Sequence, residues 1–223
     1  MLDRATEDAL YTMFGAFFHT AEEERRWNLW SDVPWDAVNP AASDTLVDAV
    51  FAAFDDELFL PDYVGKLVHL LRSSRGRAWF LTRWSYEEGK HLLALNEWLL
   101  RSGRRSEAEM KKYADDLLSA EEWELPFTDP AAMMVWALMR EYAEGERYSR
   151  LRAAAESEAE GALVSVLDFI LRDETAQQDF LRDALLLIKE RHAPLVDDAT
   201  RRVAASEEGA PFAERLLADL EIG

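Results

Sequence analysis

Apolar side chains recur at every third or fourth position along most of the chain, the spacing that places them on one face of an α-helix. Four long stretches show this pattern most clearly, centred near residues 58, 89, 142 and 174. No segment alternates apolar and polar residues between hairpin turns, as a half-buried strand would. The pattern therefore predicts an all-α fold, a four-helix bundle with additional flanking helices.

Caps and helix breakers set the predicted limits of these helices. Ser43 and Asp44 favour the start of a long helix, which Pro61 is expected to kink because proline lacks the backbone N–H. Gly103 is typical of the residue just past a helix end, and Ser106 begins a capping-box pattern. The predicted helices cover about 4–26, 44–73, 77–102, 106–119, 130–155 and 157–191, before a helical tail punctuated by Pro194 and Gly209.

The chain has 223 residues, of which 49% are hydrophobic and 11% aromatic, enough for one domain with a sizeable core. We predict a single domain over 1–223. Its predicted parts are an N-terminal helix with a tryptophan-rich connector over 1–42, the bundle over 43–191, and the helical tail over 192–223. The three tryptophans of the connector at 27–40 are expected to fold against the body.

Composition excludes several classes of protein. The chain has no cysteine, which rules out disulfides, thiolate metal sites and cysteine nucleophiles. No apolar run approaches the ~20 residues that a membrane helix needs. The N-terminus is charged from its third residue, unlike a signal peptide. These features predict a cytoplasmic protein with no membrane partner.

The formal net charge of −19 argues against nucleic acid as a partner. The charge is uneven, because residues 66–112 hold eleven basic and five acidic side chains. This segment is interpreted either as a docking face for an anionic partner or as ordinary charges on helix surfaces.

Each of the four apolar stripes carries a glutamate near its middle: Glu57, Glu88, Glu141 and Glu174. A buried carboxylate is costly unless it is paired, protonated or bound to a metal. His91 follows Glu88 at the i+3 position, so both side chains project from one helix face. Two helices with one Glu each and two with Glu-x-x-His form the di-iron carboxylate site of ferritin-like bundles, and oxygen ligands with imidazole suit iron or manganese. The sequence therefore predicts a ferritin-like four-helix bundle with a dinuclear metal centre.

Four segments resemble the ligand helices of acyl-carrier-protein desaturases, in order "DDELFLPDYVGKL", "TRWSYEEGKHLLALNEWLLRSGR", "LMREYAEGERYSRL" and "ILRDETAQQDF". The resemblance covers about residues 44–190. It implies an oxygen-dependent di-iron oxidoreductase acting on a carrier-linked acyl chain, with two ferrous ions (manganese or mixed occupancy being possible). It also implies an acyl carrier protein and a ferredoxin-like electron donor as partners, and a possible homodimer. The implied metal ligands are Glu57, Glu88, His91, Glu141, Glu174 and, where the family has its second histidine, Gln177.

Two positions depart from the family pattern. Gln177 would be a weak, neutral oxygen ligand, or it would only hydrogen-bond a carboxylate such as Glu87. Glu144 stands where the family typically has threonine, and this carboxylate would ligate a metal, deliver protons or lie in solvent. Asp173 is implied to orient His91 and fix its tautomer. Glu144 and Asp173 are thus the candidate catalytic residues.

These departures leave other functions open. One alternative is a di-iron oxidase, hydroxylase or N-oxygenase acting on another small molecule. Another is a non-catalytic ferritin-like binding protein whose metal site has degenerated. Trp84 and Tyr86 lie within a turn of the predicted ligands and are interpreted either as redox-active side chains or as core.

Overall fold

A computed structural model describes residues 2–222, and every regular element in this range is helical. The α-helices are α1 (Arg4–Glu23), α2 (Asp44–Glu57), α3 (Leu60–Leu71), α4 (Arg75–Arg101), α5 (Glu107–Ala120), α6 (Pro130–Ser157), α7 (Gly161–Ala204) and α8 (Ala213–Asp219). Short 3₁₀ turns cover Trp35–Ala37 and Ala210–Phe212. The predicted fold class, an all-α ferritin-like bundle with flanking helices, is confirmed.

The bundle has four helix positions. The long helices α6 and α7 pack along each other, and α4 packs against α7 and against the pair α2 and α3. Helices α2 and α3 follow one another and together occupy one position of the bundle. Helix α1 flanks the bundle by packing on α4 and α7, and α8 packs on α7.

Local sequence explains where these helices begin and end. The side chains of Asp3, Ser43 and Asp129 accept backbone N–H groups at the starts of α1, α2 and α6. Ser106 and Glu109 form the predicted capping box at α5. After α4, Gly103 has a φ of +71°, a left-handed conformation that glycine adopts without steric cost. The predicted caps are therefore confirmed.

The structure corrects some predicted limits. Pro61 does not kink a continuous helix, because α2 ends at Glu57 and Pro61 lies in the first turn of a separate helix, where a missing N–H costs nothing. Helix α1 ends at Glu23 rather than near residue 26. Within α7 the backbone angles at His192 are not helical, so the first helical segment ends where it was predicted, near residue 191, and a second segment that contains Pro194 continues after a kink to Ala204.

Two of the three connector tryptophans fold against the body. Trp27 and Trp35 are buried, and Trp27 stacks on Phe169 with 5.0 Å between ring centroids. Trp30 is 63% exposed, so the prediction for this residue is wrong. Its backbone N–H donates to the Asn28 side chain within a surface turn.

The apolar core has two clusters, one at each end of the bundle. The first lies toward α1 and includes Leu10, Phe80, Met134 and Phe180. The second lies toward the connector and includes Trp27, Val50, Trp98 and Leu163. Between them runs a layer of buried polar side chains from α2, α4, α6 and α7. The four mid-helix glutamates belong to this layer.

The basic segment 66–112 is largely neutralised by acids from other parts of the chain. Lys66 pairs with Glu122 at 2.8 Å, and Arg104 and Arg105 pair with acids of α2.

None of the helices between residues 2 and 222 combines the length and apolar character needed to cross a membrane.

Candidate metal centre

Five carboxylates and one imidazole converge in the polar layer at mid-height of the bundle. They are Glu57 at the end of α2, Glu88 and His91 on α4, Glu141 and Glu144 on α6, and Glu174 on α7. All six side chains are buried. The i and i+3 spacings within α4 and α6 place both members of each pair on the same inward face.

One subset of ligand atoms gathers around His91. The ligand atoms of Glu88, His91 and Glu174 lie within 4.8 Å of one another. The His91 Nδ1 atom is 3.2 Å from an oxygen of Glu88 and 3.6 Å from an oxygen of Glu174. This nitrogen therefore faces the carboxylates from two different helices.

A second subset consists of carboxylates only. Oxygens of Glu141, Glu144 and Glu174 also lie within 4.8 Å of one another. Glu174 belongs to both subsets, and its two oxygens can serve two cations at once. Glu174 is thus the carboxylate that the two groups of ligand atoms have in common.

Unpaired buried oxygens show that the donor set fits metal ions. Both oxygens of Glu174, Oε1 of Glu88 and Oε2 of Glu141 are buried and accept no hydrogen bond from any part of the chain that the structure describes. A buried acceptor without a partner costs about 1–3 kcal/mol, more when it is charged. Divalent cations would satisfy these oxygens and cancel the repulsion between the carboxylates.

The raised pKa values of the buried glutamates also indicate that their charged forms are unfavourable without bound cations. Burial raises the pKa of Glu57 to about 8, and the charges of Glu88 and Glu144 add to the rise. Burial and neighbouring carboxylates raise the pKa of Glu141 and Glu174 well above the ordinary glutamate value. Without a cation, these shifts favour the protonated forms, so we expect metal binding to release protons.

Asp173 lies behind His91. Its Oδ2 is 3.5 Å from the His91 Nε2, on the side of the ring opposite the carboxylates. Asp173 also accepts hydrogen bonds from Trp27 (2.8 Å) and Arg25 (3.1 Å). Although burial opposes ionisation, His91 and Trp27 hold the pKa of Asp173 below its usual value. A charged Asp173 would favour a proton on Nε2 and leave Nδ1 free to bind metal.

Gln177 contacts a carboxylate that lies behind the centre. Its amide nitrogen donates to Glu87 at 3.1 Å, as one of the two interpretations from the sequence expected. Glu87 also accepts from Arg83 at 3.1 Å and lies 3.6 Å from Arg25. The amide oxygen of Gln177 has no hydrogen-bond partner within residues 2–222. Metal ligation by this oxygen stays a prediction.

Further side chains contact the site, and of these only Trp84 was singled out from the sequence, without its hydrogen-bond partner. Trp84 donates to Glu141 at 2.9 Å, and the Tyr148 hydroxyl donates to Glu57 at 2.8 Å. Both residues lie on the apolar stripes of their helices. The Trp84 indole N–H and the Tyr148 hydroxyl need hydrogen-bond partners when buried, and this need was the only indication in the sequence. Arg25 and Trp27 gave no local signal, because they reach α7 from the connector. Tyr86 is 57% exposed and lies outside the site.

Arg25 holds the outer acids of the site together, so replacing it should destabilise the protein. It is 7% exposed and lies between Asp173 and Glu87. Arg25→Met removes the guanidinium between the two carboxylates but leaves Glu87 with Arg83 and Asp173 with Lys90, which is 4.0 Å away. We therefore expect a loss of about 1.5–3 kcal/mol in the free energy of unfolding, the contribution of a hydrogen bond to a charged group. Urea unfolding at pH 7 measures this. The double variant Arg25→Met/Asp173→Asn should recover part of the loss, and equal stabilities of Arg25→Met and the unmodified protein would contradict the assignment.

A cavity of about 150 Å³ adjoins the carboxylates. It lies between α3, α4 and α6, and Glu57, Glu141 and Glu144 form one side of it. The rest of its wall is mainly aromatic. A small molecule in this cavity would lie next to the second subset of ligands.

Comparisons with known proteins support the architecture. No protein-family model matches the chain, and no curated protein matches it. Among solved structures, the fold of this chain is similar to the X-ray structure of a protein described as "putative acyl-ACP desaturase DesA2" from Mycobacterium tuberculosis H37Rv. The TM-score is 0.56 at 18% sequence identity, and the match covers 97% of this chain and 86% of that chain. At this identity the match shows that the two proteins share an all-α fold.

Proposed function

We propose that this protein is a dinuclear metal-dependent oxidoreductase that uses molecular oxygen on an organic substrate. The observation that carries the proposal is the position of Glu174 between the two ligand subsets, with both of its oxygens buried and unpartnered. Its closest precedent in general protein chemistry is the carboxylate-bridged di-iron site of ferritin-like bundles.

The residues have distinct roles in this proposal. Glu88, His91 and Glu174 would hold one ion, and Glu141, Glu144 and Glu174 would hold the other. Glu57 would supply a further carboxylate ligand. Two ferrous ions would supply two electrons to O₂ and generate an oxidant able to attack a C–H bond. Trp84 and Tyr148 hold Glu141 and Glu57 in place through their hydrogen bonds. Asp173 fixes the orientation of His91.

The resemblance to acyl-carrier-protein desaturases favours a carrier-linked acyl group as the substrate. In that case an acyl carrier protein would deliver the substrate and a ferredoxin-like protein would deliver electrons. A second candidate is hydroxylation, oxidation or N-oxygenation of another small molecule. It is favoured by Glu144, which makes the second ligand subset rich in oxygen.

The test is product analysis. Protein reconstituted with ferrous iron under argon is mixed with O₂, a ferredoxin reductase system and either acyl-carrier substrates or small-molecule candidates. An unsaturated acyl product supports desaturation, and an oxygenated product supports the second candidate. Failure to bind iron at all would overturn the proposal and favour a binding protein.

Glu144 is expected to hold the second metal ion in place of the missing histidine. Because the Gln177 amide nitrogen is engaged by Glu87, we expect the three carboxylates of the second subset to carry that ion. Glu144→Gln should lower the iron content from about two to about one per chain, while Gln177→Met, which keeps the volume but removes the hard oxygen, should leave it at about two. Elemental analysis of desalted protein measures both. The opposite pattern would assign the ligand role to Gln177.

A further inference from the structure

We infer that the cavity beside the metal centre binds a compact, flat apolar group of about the size of one or two fused rings, rather than an extended acyl chain. This inference rests on the proposed function for the placement of the reaction, but the cavity itself is independent of metal. It restricts the substrate to molecules whose reacting part is small. A carrier-linked substrate would fit only with a short acyl group.

The size of the cavity is the first argument. Its volume is about 150 Å³, which matches an engineered protein cavity that binds benzene. Sites for drug-sized ligands have about 300–1,000 Å³. A chain of sixteen carbons therefore cannot lie entirely within the space next to the carboxylates.

The walls are fixed by contacts on several sides. Tyr63 is central, with its ring centroid 4.9 Å from that of Trp84, 5.0 Å from that of Trp123 and 5.5 Å from that of Trp136. Trp84 is tied to Glu141, and the Trp136 indole donates to Glu208 at 2.7 Å. Enlarging the cavity would break these contacts together.

The space beyond the cavity is narrow on the side toward α1. Toward α1, the next layer of the bundle leaves only about 10 Å³ between α3, α4, α6 and α7. Phe80 and Phe180 stack there with 3.9 Å between centroids, and Phe17 contacts both rings at 5.2 Å. A chain that passed the carboxylates in this direction would have to displace them.

The chemistry of the wall selects for a flat group. Five aromatic side chains line the cavity: Phe59, Tyr63, Trp84, Trp123 and Trp136. Aromatic faces and edges favour contact with another π-system by about 0.5–1.5 kcal/mol beyond the area buried. The carboxylates Glu57, Glu141 and Glu144 lie at one side, where the proposed metal ions would face the bound ring.

The test compares two probes, indole and hexadecanoate, by calorimetric titration of the metal-free and the zinc-loaded protein. We expect saturable binding of indole to one site and no binding of hexadecanoate at that site. Leu60→Trp fills the cavity from α3 and should weaken indole binding at least tenfold. Trp79→Ala, which removes an exposed aromatic side chain from α4, should leave it unchanged.

Each outcome decides the inference. Hexadecanoate that binds one-to-one and displaces indole would overturn it, as would the absence of indole binding to the unmodified protein, which needs no variant to fold. Indole binding with no retention of zinc or iron would overturn the proposed function and leave the inference about the cavity standing.

Discussion

Glu174→Gln is expected to remove both metal ions from the protein while the helices stay folded. Glu174 is the one residue shared by the two ligand subsets, so its loss takes a carboxylate oxygen from each position. Glutamine keeps the size of the side chain but is a neutral and weaker ligand. Iron content after anaerobic reconstitution should fall from about two per chain to a small fraction of one.

The matched control lies on the same helix. Glu190→Gln removes one negative charge from an exposed position of α7 and should leave the iron content unchanged. Circular dichroism should give the same helix content for both variants. We also expect the metal-free Glu174→Gln protein to be at least as stable as the unmodified protein, because the variant removes an acid from a crowded, buried cluster. Two irons retained in Glu174→Gln would overturn the proposed centre.

The bundle and the convergence of the glutamates could be predicted from the sequence because both depend on local periodicity. Each glutamate lies in phase with an apolar stripe, so a helix that buries the stripe must also bury the carboxylate. The glutamate keeps its inward position even where the predicted helix limit was wrong. Glu57 points inward although α2 ends there and a new helix begins at Leu60.

What could not be predicted depends on contacts between distant parts of the chain. Arg25 and Trp27 reach Asp173 across almost 150 residues, and no periodic pattern in the connector marks them as partners of α7. The cavity likewise arises from side-chain packing between α3, α6 and the segment before α6 that carries Trp123. Its volume depends on rotamers, which helical spacing does not determine.

We expect the metal-free protein to become less stable as the pH rises. The unfolded chain loses the proton of a glutamate near pH 4.5, whereas the folded chain keeps that of Glu57 to about pH 8 and those of Glu141 and Glu174 well above the ordinary range, because burial and mutual repulsion disfavour the charged forms. Between these values the folded state binds more protons than the unfolded state. The free energy of unfolding must therefore decrease with pH, and the stabilisation that is complete below about pH 4.5 is lost as the pH passes through the folded-state pKa values.

Each extra proton makes the slope about 1.4 kcal/mol per pH unit, so a single carboxyl that stays protonated accounts for a loss of about 3 kcal/mol between pH 6 and 8. For a chain of this length that corresponds to a fall of about 6–12 °C in the melting temperature. Scanning calorimetry of protein stripped with a chelator, at pH 6, 7 and 8, measures this fall in melting temperature.

Bound cations replace the protons, so the iron- or zinc-loaded protein should lose this pH dependence and gain most stability at pH 8, where ligands are easiest to deprotonate. Glu174→Gln lacks one of the titrating carboxyls and should show a shallower slope without metal. A metal-free melting temperature that rises from pH 6 to 8 would mean that the carboxylates are already ionised and paired within the protein, and would remove the electrostatic reason for a metal to bind there.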